Sequence, residues 1–468
     1  MIDLRSVPTQ RRVFVCALAV ALASVACSGA GNSGASGGRA GAPPSPAQRA
    51  APNTQFDPVR LYHQMGLLAR GTPMPFVGSA SFLAGPSRDS TNVILAVSLT
   101  NAALTFSREN DRFRAGYTVG VTLRAGATTV RQVEAHESVL VTTFRETSRN
   151  DPSVIFQQIL TVKPGRYSLT LTVRDDGSSR SATEDVVIGV PSLGVGNVGS
   201  PIIFAEVTPR TTTETVPRVV VSPSSIVVFG RDSAALVYLE SYGPDAGIHA
   251  PINMSVATDN GHVLFSDTSS IPRRGSLYSG VIRIPVFRLG IGPVKASFWQ
   301  AGSTDTTSTP IFVTFGEDLP VATYEEMVNY LKWFTTPAKL VGLRDAAPDA
   351  RAAAWASFIK TQTNGTTSGA DVLHSYFQRL LLANQRFREE GTMGWLTDRG
   401  KVLIALGEPA SVYEQRASDP NQRGRGQVWE YPDLHVTLQF YDFTGFERWR
   451  LTNASELAFQ AALRRIVK

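Results

Sequence analysis

Four carboxylates late in the chain, Asp398, Glu408, Glu430 and Asp442, are the residues best suited by type to do chemistry. Converging in one cleft, they could serve as general acid and base or hold a cation, with His435 close by in sequence. The same residues have a plainer reading, because short polar side chains at turns commonly fix backbone by accepting N–H bonds. Spacing alone brings no two of them together, so the structural reading is taken forward. An enzyme built on these four would be a hydrolase of cell-wall or extracellular polymer.

Other chemistries lack their residues. The two cysteines, Cys16 and Cys27, both lie at the N-terminus. That excludes a thiolate nucleophile, a cysteine-held metal and an internal disulfide from the rest of the chain. Six histidines occur with no His-x-x-x-His or His-x-His spacing, so no metal and no cofactor is expected. Asp371 and His374 read as a surface pair on a helix. Gly194-Val195-Gly196-Asn197-Val198-Gly199 matches the dinucleotide fingerprint formally, yet the strand-like Ser200-Pro201-Ile202-Ile203 follows where a helix is required. It reads as a flexible hinge between domains. The net charge of +6 falls to +4 without residues 1–26 and has no basic, aromatic-interleaved run, so no nucleic-acid partner is expected.

The first residues have the parts of an export signal. Arg5, Arg11 and Arg12 precede an apolar, Ala-rich run from Val13 to Ala23, and small Ala26 precedes Cys27. As a helix, Val13–Ala26 would span about 21 Å, short of a ~30 Å hydrocarbon core. Ser24-Val25-Ala26-Cys27 resembles the lipobox of bacterial lipoproteins, with Ser24 where leucine is usual. The resemblance implies lipidation at Cys27 and a membrane partner through its acyl chains. Simple cleavage at an Ala-x-Ala-like site is the alternative. Ser28 in the next position implies sorting to the outer membrane, and Arg11-Arg12 partly resembles a twin-arginine signal. The Gly/Ser/Ala/Pro-rich residues after Cys27 contain no large apolar side chain before Phe56 and read as a tether.

The elements that must position the carboxylates follow from periodicity. Tyr117, Val119, Val121 and Leu123 alternate with polar or small residues, as do Tyr167, Leu169, Leu171 and Val173 after the Pro164-Gly165 turn. Such alternation predicts antiparallel strands with one buried face. Residues 200–316 repeat this character, with strands expected at Ala235–Tyr242, Tyr278–Phe287 and Val294–Gln300. A row of Phe287, Phe298 and Trp299 would suit carbohydrate or peptide binding if exposed, and core packing explains it equally well. Five of the six tryptophans lie beyond residue 316, where the pattern turns helical. Thr323-x-x-Glu326 forms a capping box before a helix carrying Tyr324, Met327, Val328, Leu331 and Phe334. A second helix is expected from near Pro348, and a third from about Ala370 to Glu390. Beyond these, Val402–Leu406, Val428–Tyr431, Val436–Tyr441 and Trp449–Leu451 read as a small antiparallel meander. A helix from Thr397 to Leu406, capped by Thr397, is the alternative for the first of them. A short helix closes the chain.

Between the third helix and the meander stand Gly394, Trp395, Thr397, Asp398, Arg399 and Gly400, followed by Gly407, Glu408 and Pro409. Together with Tyr376-Phe377, Ala383-Asn384, Val428-Trp429-Glu430-Tyr431 and Phe440-Tyr441-Asp442, this order resembles the GWxTD domain family over roughly residues 320–452. Asn364-Gly365-Thr366-Thr367 departs from the Pro-Glu-Asn-Glu-like entry expected before the third helix. The resemblance implies β-rich modules ahead of the domain and no assigned reaction. Physically, the motif suggests a corner. Gly394 would permit a backbone conformation closed to other residues, and Trp395 would pin the corner to the third helix. Thr397 and Asp398 would accept backbone N–H bonds, with Arg399 or Arg386 as ion partners for Asp398.

The expected fold is multidomain: two all-β immunoglobulin-like sandwiches followed by an α+β domain of helices packed on a small antiparallel sheet. Its boundaries are a signal peptide at 1–26, lipidated cysteine and tether at 27–70, and sandwiches at 71–192 and 200–316. The GWxTD domain follows at 317–455, with the C-terminal helix at 456–468. The expected role is that of an uncharacterised envelope lipoprotein, non-enzymatic, structural or binding an envelope protein partner through the GWxTD domain, with the carboxylate-dependent hydrolase as the alternative.

Overall fold

The strand alternation becomes the two faces of a sandwich. A computed structural model describes residues 57–243, 247–314, 321–362, 369–387, 392–416 and 424–466. The signal peptide, Cys27 and most of the tether lie outside the described residues. Residues 57–70 do not continue the tether as expected. They form a helix, Pro58–Gln64, capped by Asp57, and an edge strand, Leu68–Arg70. Leu61, Tyr62 and Leu67 pack with Phe312 and Val321, which gives this segment the apolar burial the preceding residues cannot supply.

In the first module, Phe76–Ala84, Thr91–Leu99 and Val154–Val162 extend that edge strand into a four-stranded antiparallel sheet. A second sheet centres on Arg112–Ala125, paired with Thr128–Val141 and Gly165–Asp175. Tyr117, Val119, Val121 and Leu123 meet Val93, Leu95, Val97 and Phe156 across the gap, one inner face against the other. Thr91–Leu99 is buried along its whole length. Its other face, Ile94 and Ala96, packs on Ile202, Val221 and Tyr238 of the second module.

That second module is also a two-layered sandwich. Val237, Leu239, Ile282 and Ile284 from one layer pack on Ile252, Met254, Val294, Phe298 and Ile311 from the other. Val263–Arg274 pairs with His249–Thr258 for most of its length and with Leu277–Pro285 at Arg273 and Arg274. One strand therefore passes between layers, and the hydrogen-bonded ladder runs through ten strands.

A buried ion pair closes the seam between the modules. The Arg210 guanidinium donates to both Glu240 oxygens, Nε at 2.7 Å and Nη2 at 2.8 Å, and Nη2 also donates to the Ala84 carbonyl at 2.7 Å. Tyr238 and Tyr242 hydroxyls donate to the same carboxylate at 2.6 and 2.7 Å. Every lone pair facing inward is thereby engaged, as a buried carboxylate requires. The Gly194–Gly199 segment belongs to this seam and is not a free hinge. Gly196 N donates to Tyr242 O and Gly199 N to Glu240 O, while Asn197 and Val198 pair with Tyr242 and Ser241.

The expected boundary at 317 lies outside the described residues, and described residues on either side of it share one core. Tyr324, Met327, Leu331, Trp355 and Trp395 belong to the same apolar cluster as the second sandwich. The helices are Tyr324–Tyr330, Pro337–Arg344, Arg351–Thr361, Gly369–Arg386, Asp398–Leu406 and Asn453–Ile466. Ser411–Arg416, Arg425–Tyr431, Val436–Asp442 and Arg450–Leu451 form the small antiparallel sheet. Two expectations change. Val402–Leu406 is helix, not strand, and the helix Pro337–Arg344, started by the Thr336 cap and Pro337, precedes the one placed near Pro348.

Candidate functional site

The corner at Gly394 is built by close approach. A Cβ on Gly394 would fall on the Ala383 carbonyl oxygen and lie 2.7 Å from Asn384 Cα, so the backbone rests directly on the helix Gly369–Arg386. A Cβ on Gly400 would fall on the Gly394 carbonyl oxygen. Neither glycine has a positive φ, so the expected reason for Gly394, conformational freedom, is replaced by lack of space. Gly407 is the residue that ends a helix with φ +89°.

Thr397 closes the corner. Its hydroxyl donates to the Gly394 carbonyl at 2.7 Å and accepts the Gly400 N–H at 3.0 Å, capping the helix Asp398–Leu406. Asn384 Oδ1 accepts the Trp395 N–H at 2.9 Å, joining corner to helix. The Trp395 ring, 3% exposed, stands edge-on to Tyr330 at 5.1 Å. The Lys332 ammonium lies 4.3 Å from the ring centroid, a cation–π contact. Burial pulls the Lys332 pKa down, and Glu326 partly restores it. The indole Nε1 is buried without a hydrogen-bond partner, so the ring contributes by shape and face rather than by its polar tip.

The four carboxylates have separate occupations. Asp398 Oδ2 accepts the Leu451 N–H at 2.8 Å, and Oδ1 pairs with Lys401 at 3.2 Å. Its partners are thus neither Arg399 nor Arg386, the residues expected from sequence. Arg386 pairs instead with Glu408, at 2.8 Å on the surface. Glu430 sits opposite Thr437 on the hairpin, while Asp442 lies at its other end, beside Arg425. Five residues of strand separate them, about 17 Å at the usual rise. Along the other axis, the nine-residue helix from Asp398 spans about 13 Å before Glu408. No group of three or more potential metal-ligating His, Cys, Asp or Glu side chains occurs among the described residues. His435 occupies a left-handed position, φ 50°, in the turn before the strand Val436–Asp442.

Asp442 is completely buried and acts on a turn. Oδ1 accepts the Thr444 N–H, the Thr444 hydroxyl and the Gly445 N–H at 3.1, 2.9 and 3.0 Å. Oδ2 accepts the Glu447 N–H at 2.8 Å. Burial alone would raise the pKa, but these bonds outweigh it and hold the carboxyl below its ordinary range. The turn presents Phe443 and Phe446 to solvent, 71% and 83% exposed. Lys401, Lys332 and these phenylalanines were not singled out by sequence, and Asn384 was named only within the family resemblance. Lys401 stands three residues after Asp398, a spacing that faces the two on a helix; nothing local identified the others. In the second sandwich, Phe287 is exposed and Phe298 fully buried, so they form no binding row.

Residues 297–447 match the model of the GWxTD domain family. The match begins inside the strand Gly292–Gln300 of the second sandwich, consistent with the core those strands share with the helices. No match was found among curated proteins. Among solved structures, the chain is similar to the fibronectin(III)-like modules of Clostridium thermocellum CbhA, at 14% identity and TM-score 0.14 over 50% of this chain and 94% of that one. It is also similar to the FN1-FN3 domains of chicken CNTN1, at 10% identity and TM-score 0.13 over 50% and 66%. Salmonella alpha-2-macroglobulin reacted with methylamine is matched at 10% identity and TM-score 0.17 over 53% and 17%. The sandwich assignment rests on the strand pairing and packing above.

Proposed function

We propose that this chain, a member of the GWxTD domain-containing family, is a non-catalytic envelope lipoprotein that docks a partner protein through residues 442–447 of its C-terminal domain. The observation that carries the reading is the Asp442 turn. A buried carboxylate accepting four hydrogen bonds fixes a loop whose two phenylalanines face water. Large apolar side chains held rigidly outward lose little entropy on binding and make effective interface anchors. The separate occupations of Asp398, Glu408, Glu430 and Asp442 favour this over the hydrolase reading. In this account the sandwiches are spacers, and acyl chains on Cys27 hold the body at the membrane, with the outer membrane the expected address.

Proximity labelling of the intact protein in its native envelope tests the docking surface. A specific protein labelled by the wild type and lost in Phe443→Ser/Phe446→Ser, with folding unchanged by circular dichroism, is the expected result. An identical labelled set in both would overturn the surface. Hydrolysis of an ester, peptide, glycoside or phosphate substrate that disappears in Asp398→Asn would overturn the non-catalytic assignment. Metabolic labelling with a fatty-acid analogue, lost in Cys27→Ser, tests the anchor separately.

A further inference from the structure

Arg379 projects from the helix Gly369–Arg386 into a largely enclosed setting without a counter-ion. Its Nε is buried and makes no hydrogen bond, and no carboxylate pairs with its guanidinium among the described residues. Glu408 is already engaged by Arg386. Beside Arg379 lies a cavity of about 330 Å³ whose described walls include Trp333, Phe334, Val372 and Ile466, the polar Gln362 and a second cation, Lys339, and no acidic residue. The Trp333 indole Nε1 is a second buried donor with no partner.

Arg379 and Trp333, each with a buried unmatched N–H, both line this cavity, which has no acidic residue among its described walls. A guanidinium stays charged at any ordinary pH, so dehydration without compensation is costly. Burial already pulls the Arg379 pKa down. We propose that this cavity binds a carboxylate carried on an apolar stem, the carboxylate taken by the Arg379 fork and the stem lying against Phe334, Val372 and Ile466. The guanidinium matches a carboxylate in two parallel bonds, and Lys339 adds a second positive charge within the same walls. The volume suits a small arylacetate-sized group, at the lower end of ligand cavities. Inorganic phosphate brings the charge but no stem, and would leave Phe334, Val372 and Ile466 uncovered. The inference stands apart from the docking turn at Asp442.

Isothermal titration of the full chain with phenylacetate tests it, with phenylacetamide and inorganic phosphate as comparison ligands. The expected result is binding of phenylacetate that weakens about tenfold or more in Arg379→Met, and more than twofold in Arg379→Lys, because the charged fork is lost in the first and its geometry in the second. Phenylacetamide and phosphate should bind at least about tenfold more weakly than phenylacetate to the wild type. Equal binding of the amide, equal or tighter binding of phosphate, equal binding by Arg379→Met, or no phenylacetate binding at tens of millimolar would each overturn the proposal. The acid-against-amide comparison uses the unaltered protein, so it decides even if a variant fails to fold.

Discussion

The carboxylate of Asp398 accepts the backbone N–H of Leu451 at 2.8 Å, linking the first turn of one helix to the last strand of the sheet, 53 residues onward. The bond gives the acidic residue of the motif a structural task. It lies beside the Thr397 cap and shares Lys401 with Glu456, whose carboxylate meets the same ammonium at 2.6 Å. Corner, sheet and C-terminal helix are therefore tied at one point.

Gly394→Ala forces its Cβ into the Ala383 carbonyl, and both atoms belong to backbone held by helix and corner. A loss of about 3 kcal/mol or more is expected, in the range of severe core overpacking. Gly407→Ala meets only the Arg379 side chain at 3.4 Å and adds the strain of φ +89°, for a loss of about 1–2 kcal/mol. Urea denaturation of the two variants checks the order.

Because Trp395 Nε1 makes no hydrogen bond, Trp395→Phe removes ring area without orphaning a partner. Trp395→Ala should cost about 3–5 kcal/mol and Trp395→Phe clearly less. Equal losses would mean that the indole N–H matters after all. Equilibrium unfolding monitored by circular dichroism distinguishes the cases.

Breaking the seam pair from one side leaves a buried charge. Glu240→Gln should destabilise by about 3–5 kcal/mol, and Arg210→Met by a comparable amount. The double variant should cost less than the sum, since each single change orphans the other partner. A double-mutant cycle by chemical denaturation reads the coupling directly.

Asp175 makes the first sandwich acid-sensitive. Burial raises its pKa, but the Ser178 and Thr105 hydroxyls, the Thr105 N–H and Arg180 outweigh that and bring it to about 2. In the unfolded chain the group titrates near 3.9, so the unfolded state binds more protons between those values. The contribution is fully present above about pH 4 and is lost as pH falls through about 2; it is about 2 kcal/mol at neutrality. Asp175→Asn should remove it, so the stability gap between wild type and variant should close as a titration runs from pH 5 to 2.

Much of the sandwich architecture is legible in the sequence because half-buried strands alternate. Tyr117 to Leu123 declares its inner face residue by residue. The helix Asp398–Leu406 does not, because Val402, Leu403, Ile404 and Ala405 are all buried, and a helix surrounded by core has no polar face to reveal its period. Its Thr397 cap was the one local signal. The meaning of Gly394 was hidden for another reason: close approach to Ala383 is a tertiary fact, while a glycine read alone suggests only freedom. The same holds for the carboxylates, since Asp398 meets Leu451 and Asp442 meets its own turn through folding that spacing does not encode.

Trp395 and Asp398 hold the corner against helix and sheet, and the Leu451 N–H gives Asp398 a share of the fold's stability. Urea unfolding of Asp398→Asn beside the wild type tests it most directly. A lower midpoint with an unchanged slope is expected, corresponding to about 1–2 kcal/mol after allowing for the 20% exposure of the side chain. An unchanged midpoint would contradict it, because a carboxylate kept for reaction rather than for the Leu451 N–H could be neutralised without loss of stability.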